Sequence, residues 1–269
     1  MKTTLDYTLT TAQISESFSK AAEQYHAKAT IQKKVANGLI SSLIPWKEIL
    51  PPGPFLEVGC GTGFLSELLI KEFPTRKIIL SDISQGMLDV CKRNLEEAGL
   101  LSDNISFELL DVNEMEVVPD SYSMVISNFA AQWFKDTAIG LERLSENIVY
   151  GGLLLSSFPG NHSFKEWYEY CLELGLPFTA NPLPDVEEVV IKLSMAKVQV
   201  DYYENDLYQD FKSSLDFFKH LKEIGVHSSK TKKALSTKQL RLLTNYWDSK
   251  VEGAKNVKWH IVYIAAKKE

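Results

Sequence analysis

The chain has 269 residues, of which 45% are hydrophobic and 24% charged, an ordinary composition for one large folded core. Its formal net charge is −6 and its pI about 5.5, which excludes a global basic field that would attract nucleic acid or an anionic membrane. The sequence has no apolar run near the roughly 18 residues that cross a bilayer, no secretory signal, and only three scattered cysteines, so it predicts a soluble protein of the reducing cytoplasm.

Helical periodicity dominates the first 45 residues of the chain. Apolar side chains recur three and four positions apart from Ile14 to Tyr25, and again from Ile31 to Ile44. The cluster Pro51-Pro52-Gly53-Pro54 then ends helical structure and introduces a strand. We therefore predict N-terminal helices over residues 1–45.

From residue 55 onward, short apolar runs alternate with helical patterns. We predict strands at 55–58, 77–81, 105–109, 122–127 and 152–157, and helices at 64–73, from Ser84 to Gly99 and near 131–149. Repeated strand–helix units of this length require a parallel sheet with helices on both faces. The sequence thus predicts an α/β, Rossmann-like, doubly wound fold.

The alternation loosens after residue 158. We predict a helix at 163–174, a proline-rich loop at 177–184, a strand around Val198 to Tyr202, an amphipathic helix from Leu207 to Gly225, a helix at 237–247 and a last strand at 257–265. We interpret the chain as a single domain over residues 1–269. In this interpretation the helices of 1–45 and 160–250 form a lid over the carboxyl edge of the sheet.

A glycine-rich turn, Glu57-Val58-Gly59-Cys60-Gly61-Thr62-Gly63, closes the first predicted strand. Glycines let a ligand approach the backbone closely, as dinucleotides do at the fingerprint G-x-G-x-x-G. That fingerprint needs glycine where Phe64 stands, and the Glu57 carboxylate would repel a pyrophosphate but attract the ammonium group of S-adenosylmethionine. The motif therefore predicts this methyl donor instead of a nicotinamide or flavin. The predicted contacts are Glu57, Gly59, Gly61 and Gly63.

Polar residues follow the next three predicted strands at the carboxyl edge, where open parallel sheets bind ligands. Asp82 ends the second strand, either to accept hydrogen bonds from ribose hydroxyls or to cap the following helix. Asp111-Val112 follows the third strand, where a carboxylate can receive the adenine amino group, although surface loops also carry aspartate. Ser127 and Asn128 end the fourth strand and either hold the methionine portion of the donor or cap the turn. We predict cofactor roles for Asp82, Asp111, Val112 and Asn128.

These strand ends together resemble the class I methyltransferase superfamily over about residues 54–157. The resemblance implies a seven-stranded sheet whose final strand is inserted antiparallel. A narrower resemblance lies in Phe18-Ser19-Lys20-Ala21-Ala22-Glu23-Gln24-Tyr25, followed by Ala29 and Gln32, which is similar to the N-terminal signature of malonyl-acyl-carrier-protein O-methyltransferases of biotin synthesis. Further similar segments are 127–134, 158–160, 163–167 and 215–225.

This family resemblance implies methylation of the free carboxylate of malonyl-acyl-carrier protein, or of malonyl-CoA, with S-adenosyl-L-methionine as donor and S-adenosyl-L-homocysteine as product. It implies that Tyr25 is catalytic and closes over the cofactor, and that Gln132 and Trp133 line the acceptor pocket. His26 departs from the family, in which an acidic residue is common at this place, so it receives no catalytic role. A carboxylate is already ionised at neutral pH, so the reaction needs no catalytic base.

Two further assignments concern charged side chains. An arginine is expected to hold the thioester or the carboxylate, and Arg143 and Arg241 are both candidates. The remaining histidines show no metal-ligand spacing, so no metal site is predicted and they are interpreted as surface or packing residues: His162, His220, His227 and His260.

Lysines cluster around the late predicted helices. They form either a solvated face or a docking surface for an acidic acyl carrier protein, through Lys222, Lys232 and Lys233. Rival functions are a class I methyltransferase acting on another small molecule, such as a quinone precursor or another carboxylic acid, and a non-catalytic S-adenosylmethionine-binding module. A nicotinamide oxidoreductase is the remaining alternative.

Overall fold

The computed structural model describes residues 10–226 and 234–269. Its strands are β1 (Phe55–Val58), β2 (Ile78–Asp82), β3 (Ile105–Leu109), β4 (Tyr122–Asn128), β5 (Ile148–Pro159), β6 (Val198–Phe211) and β7 (Lys255–Lys268). In the described chain these seven strands form one sheet in the order β3-β2-β1-β4-β5-β7-β6. Strands β1 to β5 pair in parallel, whereas β7 runs antiparallel to both β5 and β6. The predicted α/β class and the antiparallel last strand are confirmed.

Helices cover both faces of this sheet. They are α1 (Thr11–Lys28), α2 (Thr30–Leu43), α3 (Phe64–Glu72), α4 (Gln85–Glu97), α5 (Thr137–Glu146), α6 (Lys165–Glu173), α7 (Val186–Ser194), α8 (Ser214–Glu223) and α9 (Thr237–Lys250), with 3-10 turns at Ile44–Ile49 and Ala131–Trp133. Phe55 packs in the core beneath α2 and α3, whereas the next residue, Leu56, packs in the core beneath α5 and α7. Both faces of the strands are therefore apolar, as a parallel sheet requires.

The local signals at the ends of α4 are confirmed. Ser84 precedes the helix, and its Oγ accepts a hydrogen bond from the backbone N of Met87 at 3.2 Å. Gly99 follows the helix in the left-handed region, with φ +68°. The apolar side chains predicted to face inward from this helix are buried: Met87, Leu88, Cys91 and Leu95.

The prediction of one amphipathic helix from Leu207 to Gly225 is wrong in its first part. Leu207 to Phe211 end strand β6, and helix α8 begins only at Ser214. Leu207 and Phe211 lie four residues apart, a spacing that puts two side chains on one face of a helix and also on one face of a strand. Both are buried in the same core. The spacing therefore could not distinguish the two structures, and pairing of β6 with β7 along its full length determines the strand.

Helix α7 was not predicted, and the segment 160–250 contains strand β6 as well as helices. Helix α1 packs against the end of α8, where the Ser17 hydroxyl donates a hydrogen bond to the carbonyl O of Gly225 at 3.1 Å. The N-terminal helices thus contact the late helices across the carboxyl edge of the sheet. Over residues 10–226 and 234–269, none of the helices is long and apolar enough to span a bilayer.

Candidate active site

The glycine turn after β1 requires glycine at each predicted position. Gly59, Gly61 and Gly63 all have positive φ, at +71°, +55° and +97°. A Cβ on Gly59 would lie 2.3 Å from the Cβ of Ala130, and a Cβ on Gly63 would lie 3.1 Å from the Sγ of Cys91. Backbone conformation and close packing therefore act together to keep side chains out of this turn.

A cavity of about 80 Å³, which we name the edge cavity, lies at the carboxyl ends of β1, β2, β3 and β4. Six of the predicted cofactor residues line it: Gly59, Gly61, Asp82, Asp111, Val112 and Asn128. Thr11 and Ile14 of α1 close the cavity from the other side. The tertiary structure thus brings together residues from four separate strand ends.

Asp82 both supports the turn and faces the edge cavity. Its Oδ2 accepts a hydrogen bond from the backbone N of Gly61 at 2.9 Å, and its Oδ1 accepts one from the backbone N of Ser84 at 2.8 Å. Burial raises the pKa of this carboxyl group to about 6, against the opposing effect of the backbone hydrogen bonds. The N-cap of helix α4 is Ser84, so Asp82 does not cap this helix. Its carboxylate lines the edge cavity, where it can contact a ligand.

Asp111 and Asn128 are also held by neighbouring groups. Asp111 Oδ2 accepts a hydrogen bond from Thr11 Oγ1 at 2.9 Å, which connects helix α1 to the end of β3. Asn128 Nδ2 donates to the carbonyl O of Gln32 at 3.1 Å, and Asn128 Oδ1 accepts from Ser157 Oγ at 2.8 Å. Both residues therefore tie N-terminal helices to the sheet where they line the cavity.

Glu57 lies beneath the glycine turn and does not line the edge cavity. It is only 1% exposed, and among the described residues its Oε2 has no hydrogen-bond partner. Burial raises the pKa of its carboxyl group to about 8, with the Ser66 hydroxyl acting in the opposite direction. Gly63 also lies outside the cavity wall, at the start of helix α3. Of the predicted contacts, Glu57 therefore lies beneath the turn, and Gly63 ends the turn where helix α3 begins.

A second, larger cavity of about 290 Å³, which we name the aromatic cavity, lies between the N-terminal and the late helices. Four side chains line both cavities: Phe18, Tyr25, Phe129 and Trp133. The Tyr25 ring stacks on Phe64 with 6.1 Å between ring centroids. Burial and the charge of Asp82 raise the pKa of Tyr25 well above its ordinary value, so its hydroxyl keeps its proton. Tyr25 thus stands with a hydrogen-bond donor at the junction of the two cavities.

The walls of the aromatic cavity are mostly apolar rings. Phe164 meets Trp259 edge-on with 4.8 Å between centroids, and Trp167 meets Phe218 edge-on at 5.0 Å. Gln132 lines the wall with its Nε2 donating to the carbonyl O of Phe129 at 2.7 Å. The sequence prediction missed Phe164, Trp167 and Trp259 as lining residues, because aromatic residues at such spacings are more often simple core.

Neither candidate arginine lines the aromatic cavity. Arg143 donates hydrogen bonds to the carbonyl oxygens of Asn113 at 3.0 Å and Met115 at 2.6 Å, so it supports the loop after β3. Arg241 is exposed on helix α9, beside the lining residue Leu240. Among the residues that the structure describes, the wall carries amide and hydroxyl groups but no charged side chain.

His26 supports the glycine turn. Its Nδ1 lies 3.0 Å from Thr62 Oγ1 and 3.0 Å from Asn94 Nδ2, and its ring stacks on Phe64 at 4.8 Å. Burial lowers the pKa of this imidazole, which keeps it neutral at pH 7. The structure thus gives His26 a packing role beside the turn.

Known proteins resemble this chain in sequence as well as in architecture. A family profile described as a methyltransferase domain matches residues 55–152. A protein of Magnetococcus marinus named malonyl-acyl-carrier-protein O-methyltransferase is 32% identical over 216 residues, which cover 80% of this chain and 77% of that protein. The chain belongs to the malonyl-acyl-carrier-protein O-methyltransferase family. Members of this family are methyltransferases that use S-adenosylmethionine as the methyl donor.

A second relative of the same name, from Acetivibrio thermocellus, extends the match over nearly the whole chain. It is 28% identical, and the alignment covers 94% of this chain and 92% of that methyltransferase. Among solved structures, the YcgJ protein of Bacillus subtilis superposes with a TM-score of 0.61 at 12% identity, covering 87% of this chain and 99% of that one. This last likeness shows the fold alone.

Proposed function

We propose that this chain transfers the methyl group of S-adenosylmethionine to the free carboxylate of malonyl-acyl-carrier protein. The products are the malonyl methyl ester and S-adenosylhomocysteine, and the reaction is an early step of biotin synthesis. The observation that carries the proposal is the junction of two cavities at Phe18, Tyr25, Phe129 and Trp133. A donor in one cavity and an acceptor in the other would meet there.

The edge cavity is the proposed donor site. Asp82 accepts hydrogen bonds from the ribose hydroxyls, and Asp111 accepts one from the adenine amino group beside Val112. Asn128 holds the methionine portion of the donor. The left-handed backbone at Gly59 and Gly61 lets the donor lie against the turn. Glu57 acts from beneath the turn by the charge that its carboxyl group offers to the donor's ammonium group. Gly63 allows the left-handed backbone with which the turn enters helix α3.

The aromatic cavity is the proposed acceptor site. Its rings exclude water from the malonyl thioester. Gln132 lines this cavity, and Trp133 lines both cavities where they meet. We propose that α1, α2, α6, α8 and α9 together form the lid that encloses both substrates. The apolar wall strengthens the attraction between the acceptor carboxylate and the donor sulfonium, because little water remains to screen it.

The chemistry needs alignment more than proton transfer. A carboxylate oxygen attacks the methyl carbon, the new O–C bond forms as the C–S bond breaks, and the electron pair of that bond stays on sulfur. The acceptor is ionised at neutral pH, so no proton has to leave. Holding the two reactants in line contributes on the order of 7–11 kcal/mol to such a reaction. The Tyr25 hydroxyl is the proposed positioning donor for the carboxylate.

An experiment with two malonyl carriers tests this function. The full chain is incubated with S-adenosylmethionine and either malonyl-acyl-carrier protein or malonyl-CoA, and the thioester is examined by mass spectrometry. We expect a mass gain of one methylene and equimolar S-adenosylhomocysteine. Donor binding without product on either thioester would contradict the assignment and favour another small-molecule acceptor or a binding module.

The carrier protein is proposed to dock beside helix α8. Lys222 is exposed on this helix and follows Leu221, which lines the aromatic cavity. Acyl carrier proteins are acidic, so a lysine at this mouth offers a complementary charge. Lys232 and Lys233, the other two predicted docking residues, lie outside the described residues.

We also propose that the enzyme works in the cytoplasm. Cys60, Cys91 and Cys171 are all free thiols buried in the protein, an arrangement that suits a reducing compartment.

A further inference from the structure

Three side chains that are far apart in the sequence meet near one edge of the sheet. His162 lies in the loop between β5 and α6, Glu204 lies on β6, and His260 lies on β7. One nitrogen or oxygen from each of them lies within 4.8 Å of the others. We propose that His162, Glu204 and His260 form a binding site for a divalent transition metal, and that Zn²⁺ fits it best.

The spacing of the two imidazole rings suits one shared metal ion. Their centroids are 4.9 Å apart, and the ring planes are inclined by 36°. Two imidazoles bound to one tetrahedral Zn²⁺ through bonds of ~2.1 Å have centroids roughly 5 Å apart. The rings are therefore already at the separation that a shared ion requires.

The carboxylate completes the ligand set after a small movement. Glu204 Oε2 lies 2.5 Å from His260 Nε2, whereas two ligands of a tetrahedral zinc ion lie ~3.4 Å apart. The Glu204 side chain is 37% exposed and His162 lies on an exposed loop, so both can shift outward to admit the ion. Two imidazoles and one carboxylate are a donor set that zinc prefers, with a fourth position for water.

His260 is the fixed ligand of this cluster. Its side chain is 5% exposed, and its backbone N and O both lie within hydrogen-bond distance of Ser163 Oγ, at 3.0 and 3.2 Å. Its Nδ1 faces Gly160, and in the described chain this buried atom has no hydrogen-bond partner. A metal on Nε2 would leave an N–H at Nδ1 without an acceptor to orient it, so we expect micromolar and not tighter affinity.

The site lies on the opposite face of the sheet from the aromatic cavity. Successive residues of a strand point to opposite faces, so His260 faces away from the cavity that Trp259 lines. Pro159, the last residue of β5 before the loop that carries His162, and Phe164, at the end of this loop, both line that cavity. A bound ion would therefore fasten one wall of the acceptor site to β6 and β7 without touching the reacting groups.

Metal titration of the untagged full chain, first treated with a chelator and then dialysed, tests the site. We expect calorimetry to show about one equivalent of Zn²⁺ binding with micromolar affinity, and Co²⁺ to give the visible absorption bands of a tetrahedral ion. His162→Ala and Glu204→Gln should each weaken Zn²⁺ at least tenfold. Asp206→Asn is the matched control, because Asp206 lies on the same face of β6 but binds Lys258 at 3.1 Å.

Three results would overturn the proposal. The first is a wild-type chain that shows neither a heat of Zn²⁺ binding by calorimetry nor the visible absorption bands of tetrahedral Co²⁺. The second is that His162→Ala and Glu204→Gln bind Zn²⁺ as tightly as the Asp206→Asn control does, while their far-ultraviolet circular dichroism matches that of the wild type. The third is a thiolate charge-transfer band in the Co²⁺ complex, which would place the ion at the cysteines instead.

Discussion

Glu57 is buried beneath the glycine turn, where its carboxyl group has a pKa of about 8. An isolated buried carboxyl group disfavours its charged form, so the protein loses stability wherever pH ionises it. A residue kept at such a cost beside a binding cavity is a candidate for a functional role. At the scale of single residues, Glu57 and Tyr25 therefore give the sharpest tests of the proposed mechanism.

Replacing Glu57 with Gln should change how stability depends on pH. The pKa rises from its ordinary value of 4.5 in the unfolded chain to about 8 in the folded one, so the folded state binds the proton more tightly. Stability should then fall as pH rises between these values, by on the order of 3 kcal/mol from pH 5 to pH 8, and Glu57→Gln should lack this loss. Urea unfolding at the two pH values measures the difference.

The same variant tests the donor role of Glu57. The donor's ammonium group favours the charged carboxylate, so S-adenosylhomocysteine should bind the wild type more tightly at pH 8 than at pH 6.5, and Glu57→Gln should bind weakly at both. The variant could instead keep the wild-type dependence of stability on pH and the wild-type affinity for S-adenosylhomocysteine. Glu57 would then affect neither stability nor donor binding.

Tyr25→Phe should separate positioning from donor binding. The ring contacts with Phe64 and Phe18 persist, but the hydroxyl at the junction of the cavities is removed. Loss of a hydrogen bond to a charged group costs about 1.5–3 kcal/mol, so kcat should fall by about tenfold to a hundredfold. Calorimetry should show S-adenosylhomocysteine affinity nearly unchanged. An unchanged kcat would mean that Tyr25 does not position the acceptor.

At the scale of elements, the glycine turn depends on both conformation and packing. Gly59→Ala would place a Cβ 2.3 Å from that of Ala130 at φ +71°, so the turn must shift and donor binding should be lost. Gly99→Ala is the matched control, because φ is +68° but nothing lies within 4 Å of the new Cβ. The control should lose only about 1 kcal/mol of stability and retain affinity. The two variants are compared by titration with S-adenosylhomocysteine and by urea unfolding. Equal affinity in both variants would contradict the expected effect of the clash with Ala130.

Some elements were predicted closely, whereas the helix predicted near 131–149 is a 3-10 turn, the shorter helix α5 and the start of β5. The strand at 55–58 has the predicted bounds, and Ser84 and Gly99 flank α4 as expected. Leu207 and Phe211 were assigned to a helix because a separation of four residues suits both structures. Strand β6 forms because β7 pairs with it along its full length, which is information outside its own sequence.

At the scale of the whole molecule, carrier docking predicts a difference between two substrates. Lys222→Glu reverses an exposed charge beside the mouth of the aromatic cavity, so kcat/KM should fall severalfold with malonyl-acyl-carrier protein and little with malonyl-CoA. Lys77→Glu is the matched control, since Lys77 is exposed just before β2, at the opposite end of the strands from the cavities. Equal loss on both substrates, or the same loss in the control, would refute docking at α8.

The sequence by itself determined the fold class, the methyl donor and the family, because each rests on short segments whose local pattern is specific. The turn from Glu57 to Gly63 needs glycine for its backbone, and the segment ending at Tyr25 carries the family signature. Only the tertiary structure showed that Glu57 lies beneath the turn, that Arg143 supports a loop, and that aromatic side chains enclose a second cavity. Those facts depend on contacts between distant segments, such as Trp259 with Phe164, and the spacing of residues within one segment cannot predict such contacts.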